Sequence, residues 1–489
     1  MRSASLLLAV GLLPSIACSS GKSSSASSAG DDGGETLTYA PKGCAYTVTP
    51  PASRGFTDLA LDDPNAAVDP AQDAPVRVRI GLGGGTTAGQ PGYADPATSA
   101  VFTWETAAST NAAQVHIGTS PSSMADVHTG YSWTNPPPTV GIGTTEPPGY
   151  FHEVHVCGLQ PGTTYFYQVG GGAGAGAWSA TQTFSTPPAT GPVLVGFSGD
   201  SRDDVTIFQL VQERMRDAGV QLQLTSGDLV LWGMQESLYA KWLESSWKDP
   251  NDPSKFLTLG QMPILSVGGN HENQSSQYFA NWALPGDGNW AETYASFDLS
   301  SAHIVLLNDE GIAAGSNDEA TTQLAWLDKD LAQADANRSA HPFIVIVNHR
   351  GEFSTSNHGK DGDVLQTRAQ LAPMFAKYHV DLVINGHDHN YERTNPIVPA
   401  ANPADAPVVQ TSPSAGTTYV VCAGSGANSY APGSPAPWMN KTVGFGNGTP
   451  YEGVYGLLSL DKGKLSFKAY GLKVAGGGVA GDTVIDSWP

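Results

Sequence analysis

Between residues 76 and 186, apolar and polar positions alternate with a period of two. Val76-Arg77-Val78-Arg79-Ile80, Ala100-Val101-Phe102-Thr103-Trp104 and Ala113-Gln114-Val115-His116-Ile117 each place apolar side chains on one face of an extended chain. Val154-His155-Val156-Cys157 leads through the turn signal Pro161-Gly162 into Thr163-Thr164-Tyr165-Phe166-Tyr167, and the stretch 178–186 closes the region before Pro187-Pro188. This pattern predicts an all-β sandwich. From Gly191 the rhythm changes. Apolar runs at 193–197, 220–224, 264–267, 303–307, 343–347 and 380–384 predict strands. Helical spacing at 205–218, ended by Gly219, and again at 238–247, 321–334 and 369–378 predicts helices between them. The alternation indicates an α/β layered domain, and strand patterns at 417–422 and 454–470 add a second sheet.

The length of 489 residues suits two or three domains with a sizeable core, and 40% hydrophobic with 9% aromatic residues fits a globular chain. The formal charge of −21 argues against nucleic acid as a partner, because its phosphates are repelled at long range. A small phosphate ester is not excluded, since bound metal ions would dominate the local field.

Residues 1–18 read as a secretory signal, with Arg2 ahead of an apolar run at 6–13 that is too short to span a membrane. Ser15-Ile16-Ala17-Cys18 resembles a bacterial lipobox, with Ser15 where an aliphatic residue is usual. Lipidation of Cys18 and plain signal cleavage therefore stand as equal readings, giving a secreted or an envelope-attached protein. Residues 19–74 read as a flexible Ser/Gly/Ala tether followed by an irregular Pro- and Asp-rich stretch. Of the remaining thiols, Cys422 sits in an apolar strand pattern and reads as buried and inert. Cys44 and Cys157 are candidates for a staple, although three thiols do not determine a pairing.

The candidate chemistry lies in five short stretches. They are Gly199-Asp200-Ser201-Arg202, Gly227-Asp228-Leu229-Val230, Gly269-Asn270-His271-Glu272, Val347-Asn348-His349 and Gly386-His387-Asp388-His389. Each follows an apolar run, where a strand would end, and open α/β sheets gather their ligands at such carboxyl ends. Two carboxylates, an amide oxygen and three imidazoles suit divalent metals, and one carboxylate can bridge two ions.

In order and spacing these stretches resemble the calcineurin-like metallophosphoesterases, and Gly386-His387-Asp388-His389-Asn390-Tyr391-Glu392-Arg393-Thr394 resembles the purple acid phosphatase branch. The passage Gly158-Leu159-Gln160-Pro161-Gly162-Thr163-Thr164-Tyr165 is similar to the fibronectin type III-like domain that precedes the catalytic domain in that branch. The resemblance implies a sandwich at 75–188 and a catalytic domain at 190–489 in which two mixed sheets are flanked by helices. It implies two metal ions, divalent or mixed-valence, drawn from iron, zinc and manganese. Asp200, Asp228 and His389 would hold the first, while Asn270, His349 and His387 would hold the second, with Asp228 bridging. It also implies hydrolysis of a small phosphate monoester by a metal-bound hydroxide. His271 would assist the leaving group, Glu272 would orient His271 or face solvent, and His358 would lie on the substrate side.

Two positions depart from the family. Where the wider family has a ligand His two residues after the first Asp, this chain has Arg202. Where purple acid phosphatases have a ligand Tyr three residues after the bridging Asp, it has Leu231, so the iron–tyrosinate colour should be absent. Arg202 cannot ligate a cation; it either clamps a phosphate oxygen or pairs with Asp203 or Asp204. The same centre could serve a phosphodiesterase or nucleotide hydrolase, and a surface-binding protein with a degenerate site is a further alternative.

Overall fold

A computed structural model describes residues 37–489 apart from 51–54, 88–89, 94, 138–145, 248, 250–255, 285–291, 316, 447–448 and 477; Cys18 and the signal segment lie outside the described residues. The alternating region forms two antiparallel sheets. One runs in the order Thr57–Leu61, Tyr131–Asn135, Gly149–Cys157, Ser99–Thr106, Val76–Gly81. The other is built on Thr164–Gly171, paired on one side with Gln114–Gly118 and then Asp126–Thr129, and on the other with Ala177–Trp178 and Gln182–Ser185. Their inward residues, among them Ile80, Phe102, Trp104, Val115, Tyr167 and Phe184, form one buried cluster, as the period of two requires.

One strand lies in the stretch read from sequence as irregular. Thr57–Leu61 forms a sheet edge against Tyr131–Asn135, and Cys44 is joined to Cys157 by a disulfide with Cα atoms 5.1 Å apart. The edge strand keeps its side chains exposed or half-buried, so it carries no alternation to read.

The second domain stacks two mixed sheets face to face. The first runs Ile264–Ser266, Leu222–Thr225, Val193–Ser198, Gly453–Asp461, Lys464–Ala475, Gly478–Trp488. The second runs Ala295–Leu299, Ala302–Leu306, Phe343–Val347, Leu382–Asn385, Thr418–Cys422, Tyr391–Thr394, Met439–Val443. Val195, Phe197, Leu224, Leu306, Val345, Ile384 and Phe467 interleave between the sheets. The helix Val205–Ala218, capped by the Asp204 side chain and ended by Gly219 in the left-handed conformation, packs on the outer face of the first sheet. Asp318–Ala336 and Gly362–Lys377 cover the second. The free thiol among the described residues, Cys422, is buried, and burial pushes its pKa up, as expected of an inert thiol.

The sandwich is fastened directly to the second domain. Arg79, buried and ion-paired with Glu105 at 3.0 Å, donates through Nε to the carbonyl of Asn281 at 2.7 Å. Leu82 N donates to Ala283 O at 3.2 Å, and the Tyr167 hydroxyl to Gly260 O at 2.6 Å. A Cβ on Gly81 would stand 2.5 Å from Ala283 O, so only glycine allows this approach. The segment gripped here, 260–283, contains Asn270 and His271.

Candidate metal centre

The candidate ligands follow the carboxyl ends of parallel strands. Val193–Ser198, Leu222–Thr225 and Ile264–Ser266 run parallel in one sheet, and Phe343–Val347 and Leu382–Asn385 run parallel in the other. The chain leaves them in tight turns. Asp200, Asp228 and His387 have φ of 53°, 52° and 70°, a conformation L-residues adopt at a cost on the order of 1 kcal/mol each and which is concentrated at functional sites. A Cβ on Gly269 would lie 2.4 Å from Asp228 Oδ1, and one on Gly386 would lie 2.5 Å from Asp200 Oδ2. Glycine in these motifs lets one strand end press against the carboxylate of another.

His349 sits at the centre. It is fully buried, and its Nδ1 lies 2.7 Å from the carbonyl of Ser226, which fixes that nitrogen as the donor. Its Nε2 then faces Asn270 Oδ1 at 2.9 Å, His387 Nδ1 at 3.2 Å and Asp228 Oδ1 at 3.4 Å. Four lone-pair donors converge on one point, and a single proton cannot satisfy them all. A divalent cation can, so the residues fit the second metal position. The field agrees. Burial disfavours charge on His349, yet Asp228, Asp200, Glu310 and Asp309 raise its pKa to about 9, which marks a place where positive charge is stabilised. Burial and the neighbouring imidazoles and Arg350 hold His387 well below the ordinary histidine value, in the neutral form that can ligate.

Asp200 and His389 lie beside this cradle and, with Asp228, would make the first position. His389 Nε2 is 3.3 Å from Asp200 Oδ1, its Nδ1 lies 2.6 Å from the carbonyl of Asn428, and its ring stacks on Tyr430 at 4.1 Å. Burial works against the Asp200 charge, but His389, His349 and Arg202 hold its pKa below the usual carboxylate value. Ligand atoms of Asp200, Asp228 and His349 all lie within 4.8 Å of one another, so the two positions adjoin through Asp228.

The structure brings all three proposed catalytic side chains to this centre. His271 Nδ1 lies 2.8 Å from the carbonyl of Leu231, leaving Nε2 3.8 Å from Asp228 Oδ2. The His358 ring lies 4.5 Å from that of His387 and 5.5 Å from Tyr430, and its Nδ1 meets Asp361 at 2.8 Å. Arg202 donates to Asp203 at 2.9 Å, and its other edge faces Asp228 and His389. It therefore combines the pairing and the site-facing readings.

Glu272 has a different place from either role read in the sequence. It is fully buried, and its carboxylate accepts the backbone N–H groups of Asp228 and Gly269 at 2.7 Å each, Leu229 at 2.8 Å and Val230 at 3.4 Å. It locks the turn that presents Asp228. Burial and Asp228 push its pKa up to about 7, against which the N–H donors act. A second buried set, largely outside the sequence motifs, lies beside the centre. Arg350, beside His387 at 3.5 Å, is held by both oxygens of Glu310 at 2.8 Å, while Asp309 accepts Arg350 N at 2.7 Å and Asn348 Nδ2 at 2.8 Å.

Comparison with known proteins agrees with this geometry. Residues 91–186 match the profile of the purple acid phosphatase N-terminal domain, and residues 198–391 that of the calcineurin-like phosphoesterases. Purple acid phosphatase 21 of Arabidopsis thaliana is 30% identical over 252 residues, spanning 51% of this chain and 54% of its own. Acid phosphatase type 7 of Homo sapiens is 27% identical over 63% of this chain and 69% of its own. This chain thus spans about half the length of the first of these relatives. In fold it is similar to a purple acid phosphatase from yellow lupin (Lupinus luteus) seeds, with a TM-score of 0.64 and 18% identity over 85% of this chain and 74% of that one. Purple acid phosphatases use dinuclear metal centres, and the convergent donors around His349 and Asp228 are a ligand group of that kind. With both domain profiles in order and the candidate motifs brought together, the chain carries a purple acid phosphatase N-terminal domain followed by a calcineurin-like phosphoesterase domain, and its relatives are purple acid phosphatases.

Proposed function

We propose that this protein is an exported, metal-dependent phosphatase that hydrolyses small phosphate monoesters. The observation that carries the proposal is the convergence of Asp228, Asn270, His349 and His387 on one point, with Asp200 and His389 adjoining across Asp228. Bound divalent ions supply Lewis acidity there, activating water and neutralising charge on the phosphoryl oxygens.

The chain's own residues do the rest. Asp228 directs one oxygen to each position, and Glu272 keeps its turn rigid. His271, fixed through Nδ1 by the Leu231 carbonyl, keeps Nε2 free to take up a proton and, as the imidazolium, to pass it to the departing alkoxide, returning to the neutral ring. His358 and Arg202 border the centre and offer donors to phosphoryl oxygens, the charge by which a monoester differs from a diester. Export is supported by the signal-like residues 1–18 and by the Cys44–Cys157 disulfide, which suits an oxidising compartment. Plain cleavage and lipidation at Cys18 remain the two forms of that proposal.

Parallel assays on p-nitrophenyl phosphate and its bis-ester test the reading. The proposal expects the monoester to be favoured at least ~10-fold. A reversed ratio assigns the centre to diesters, and turnover of neither favours a binding protein with a degenerate site.

A further inference from the structure

The first metal position contains a cation of the protein's own. The Arg202 guanidinium is mostly buried, with its side chain 11% exposed. Its Nη1 donates to Asp203 Oδ1 at 2.9 Å and Oδ2 at 3.2 Å. Its Nε lies 3.5 Å from Asp228 Oδ2, and its Nη2 lies 3.4 Å from His389 Nε2. Those two atoms belong to two of the three side chains that make the first position. The other oxygen of Asp228, Oδ1, faces His349 in the second position. Asp228 therefore stands between the second-position cradle on one side and a guanidinium on the other.

The arrangement is built rather than incidental. Asp203, which holds Arg202, is itself fixed by the backbone N–H of Asn428 at 3.0 Å, and the carbonyl of Asn428 meets His389 Nδ1 at 2.6 Å. One loop thus positions both the guanidinium and the ligand it faces. Arg202 Nε is buried without a hydrogen-bond partner, as expected for a group placed by charge against Asp228. A guanidinium does not lose its proton in a protein, so this positive charge is permanent.

We infer that Arg202 makes the two metal positions unequal. The second position has four convergent protein donors, and the neighbouring guanidinium, Arg350, is neutralised by both oxygens of Glu310 at 2.8 Å and reaches only the far ring nitrogen of His387, so this position loads tightly. The first holds an ion only by displacing the guanidinium from Asp228 and His389 against repulsion between like charges. The protein as isolated would retain one ion firmly, with Arg202 supplying positive charge in place of the other. The inference rests on the dinuclear reading of the centre, but its test requires no turnover.

Zinc binding to the full chain, stripped by chelation, would be followed by calorimetry, and metal content would be measured after dialysis. The wild type is expected to bind in two separate steps, the second at least ~100-fold weaker, and to retain close to one ion. Arg202→Met should bring the steps to within about tenfold and raise the retained metal toward two. Arg202→His, which places an imidazole where the wider family has a ligand, should strengthen the weak step further. Two equal wild-type steps, or an Arg202→Met titration matching the wild type, would overturn the inference. If the Met variant does not fold, the wild-type steps and the His variant decide it. Unequal loading without phosphatase activity would sink the functional proposal and leave this one standing.

Discussion

The carboxylate of Glu272 accepts the backbone N–H of Asp228 at 2.7 Å, and through it one loop holds the turn of another that carries the Asp228 carboxylate. Glu272→Ala would leave four buried N–H groups without their acceptor. We expect a loss of about 2–4 kcal/mol in metal-free stability, measured by urea denaturation, because each unmade buried hydrogen bond costs about 1–3 kcal/mol before relaxation. Metal affinity should fall as well. A stability change within experimental error would show that the clamp is dispensable.

His271 lies outside the convergent ligand set, so its removal should spare metal content and impair turnover. His271→Gln is expected to lower kcat about 10²-fold or more on alkyl phosphates, whose leaving groups need a proton. The loss should be smaller on p-nitrophenyl phosphate, whose leaving group departs as a stable anion. Equal losses on both substrates would point to positioning rather than proton donation.

How far the sequence discloses this site depends on what each residue must be. Asp200, Asp228, Asn270, His349, His387 and His389 are legible because the chemistry restricts them to ligand types at strand ends. Glu272 is not, because its partners are backbone groups distant in sequence that leave no pattern. Asp309 and Glu310 open a short helix, where acidic residues ordinarily face water, yet here they bind Arg350 beneath the centre. Tyr430 lies in a Pro-rich loop without periodicity, and only folding brings it onto His389. Most core strands of both domains follow from periodicity, whereas Asp126–Thr129, Tyr131–Asn135, Ala295–Leu299, Met439–Val443, Gly478–Trp488, the edge strand Thr57–Leu61 and the contacts joining the sandwich to residues 260–283 do not.

Those contacts make the sandwich part of the catalytic framework. Arg79→Met would leave Glu105 with one fewer partner and Asn281 O without its donor, at an expected cost of about 3 kcal/mol. Both domains should still unfold together. Calorimetry resolving a separate sandwich transition in the wild type would contradict this coupling.

His303 provides a pH signature remote from the metal centre. Burial opposes its charge, but Asp298 at 2.8 Å and Asp330 at 2.9 Å raise its pKa from 6.5 to about 9. The folded chain holds this proton more tightly than the unfolded one, so the stabilisation is complete below about pH 6.5 and is lost as pH rises through about 9. Denaturation at pH 6 and pH 10 should show a wild-type decrease that exceeds that of His303→Gln by about 1–3 kcal/mol. Parallel pH profiles for the two proteins would remove His303 from the account.

The central claim is that Asp228 bridges a working metal centre. The most direct measurement is hydrolysis of p-nitrophenyl phosphate by the full chain, stripped of metal and then supplied with zinc, manganese or iron, beside Asp228→Asn. Turnover that returns with metal and falls at least ~10³-fold in the variant is the expected result. Turnover unaffected by chelation, or equal in Asp228→Asn, would contradict it.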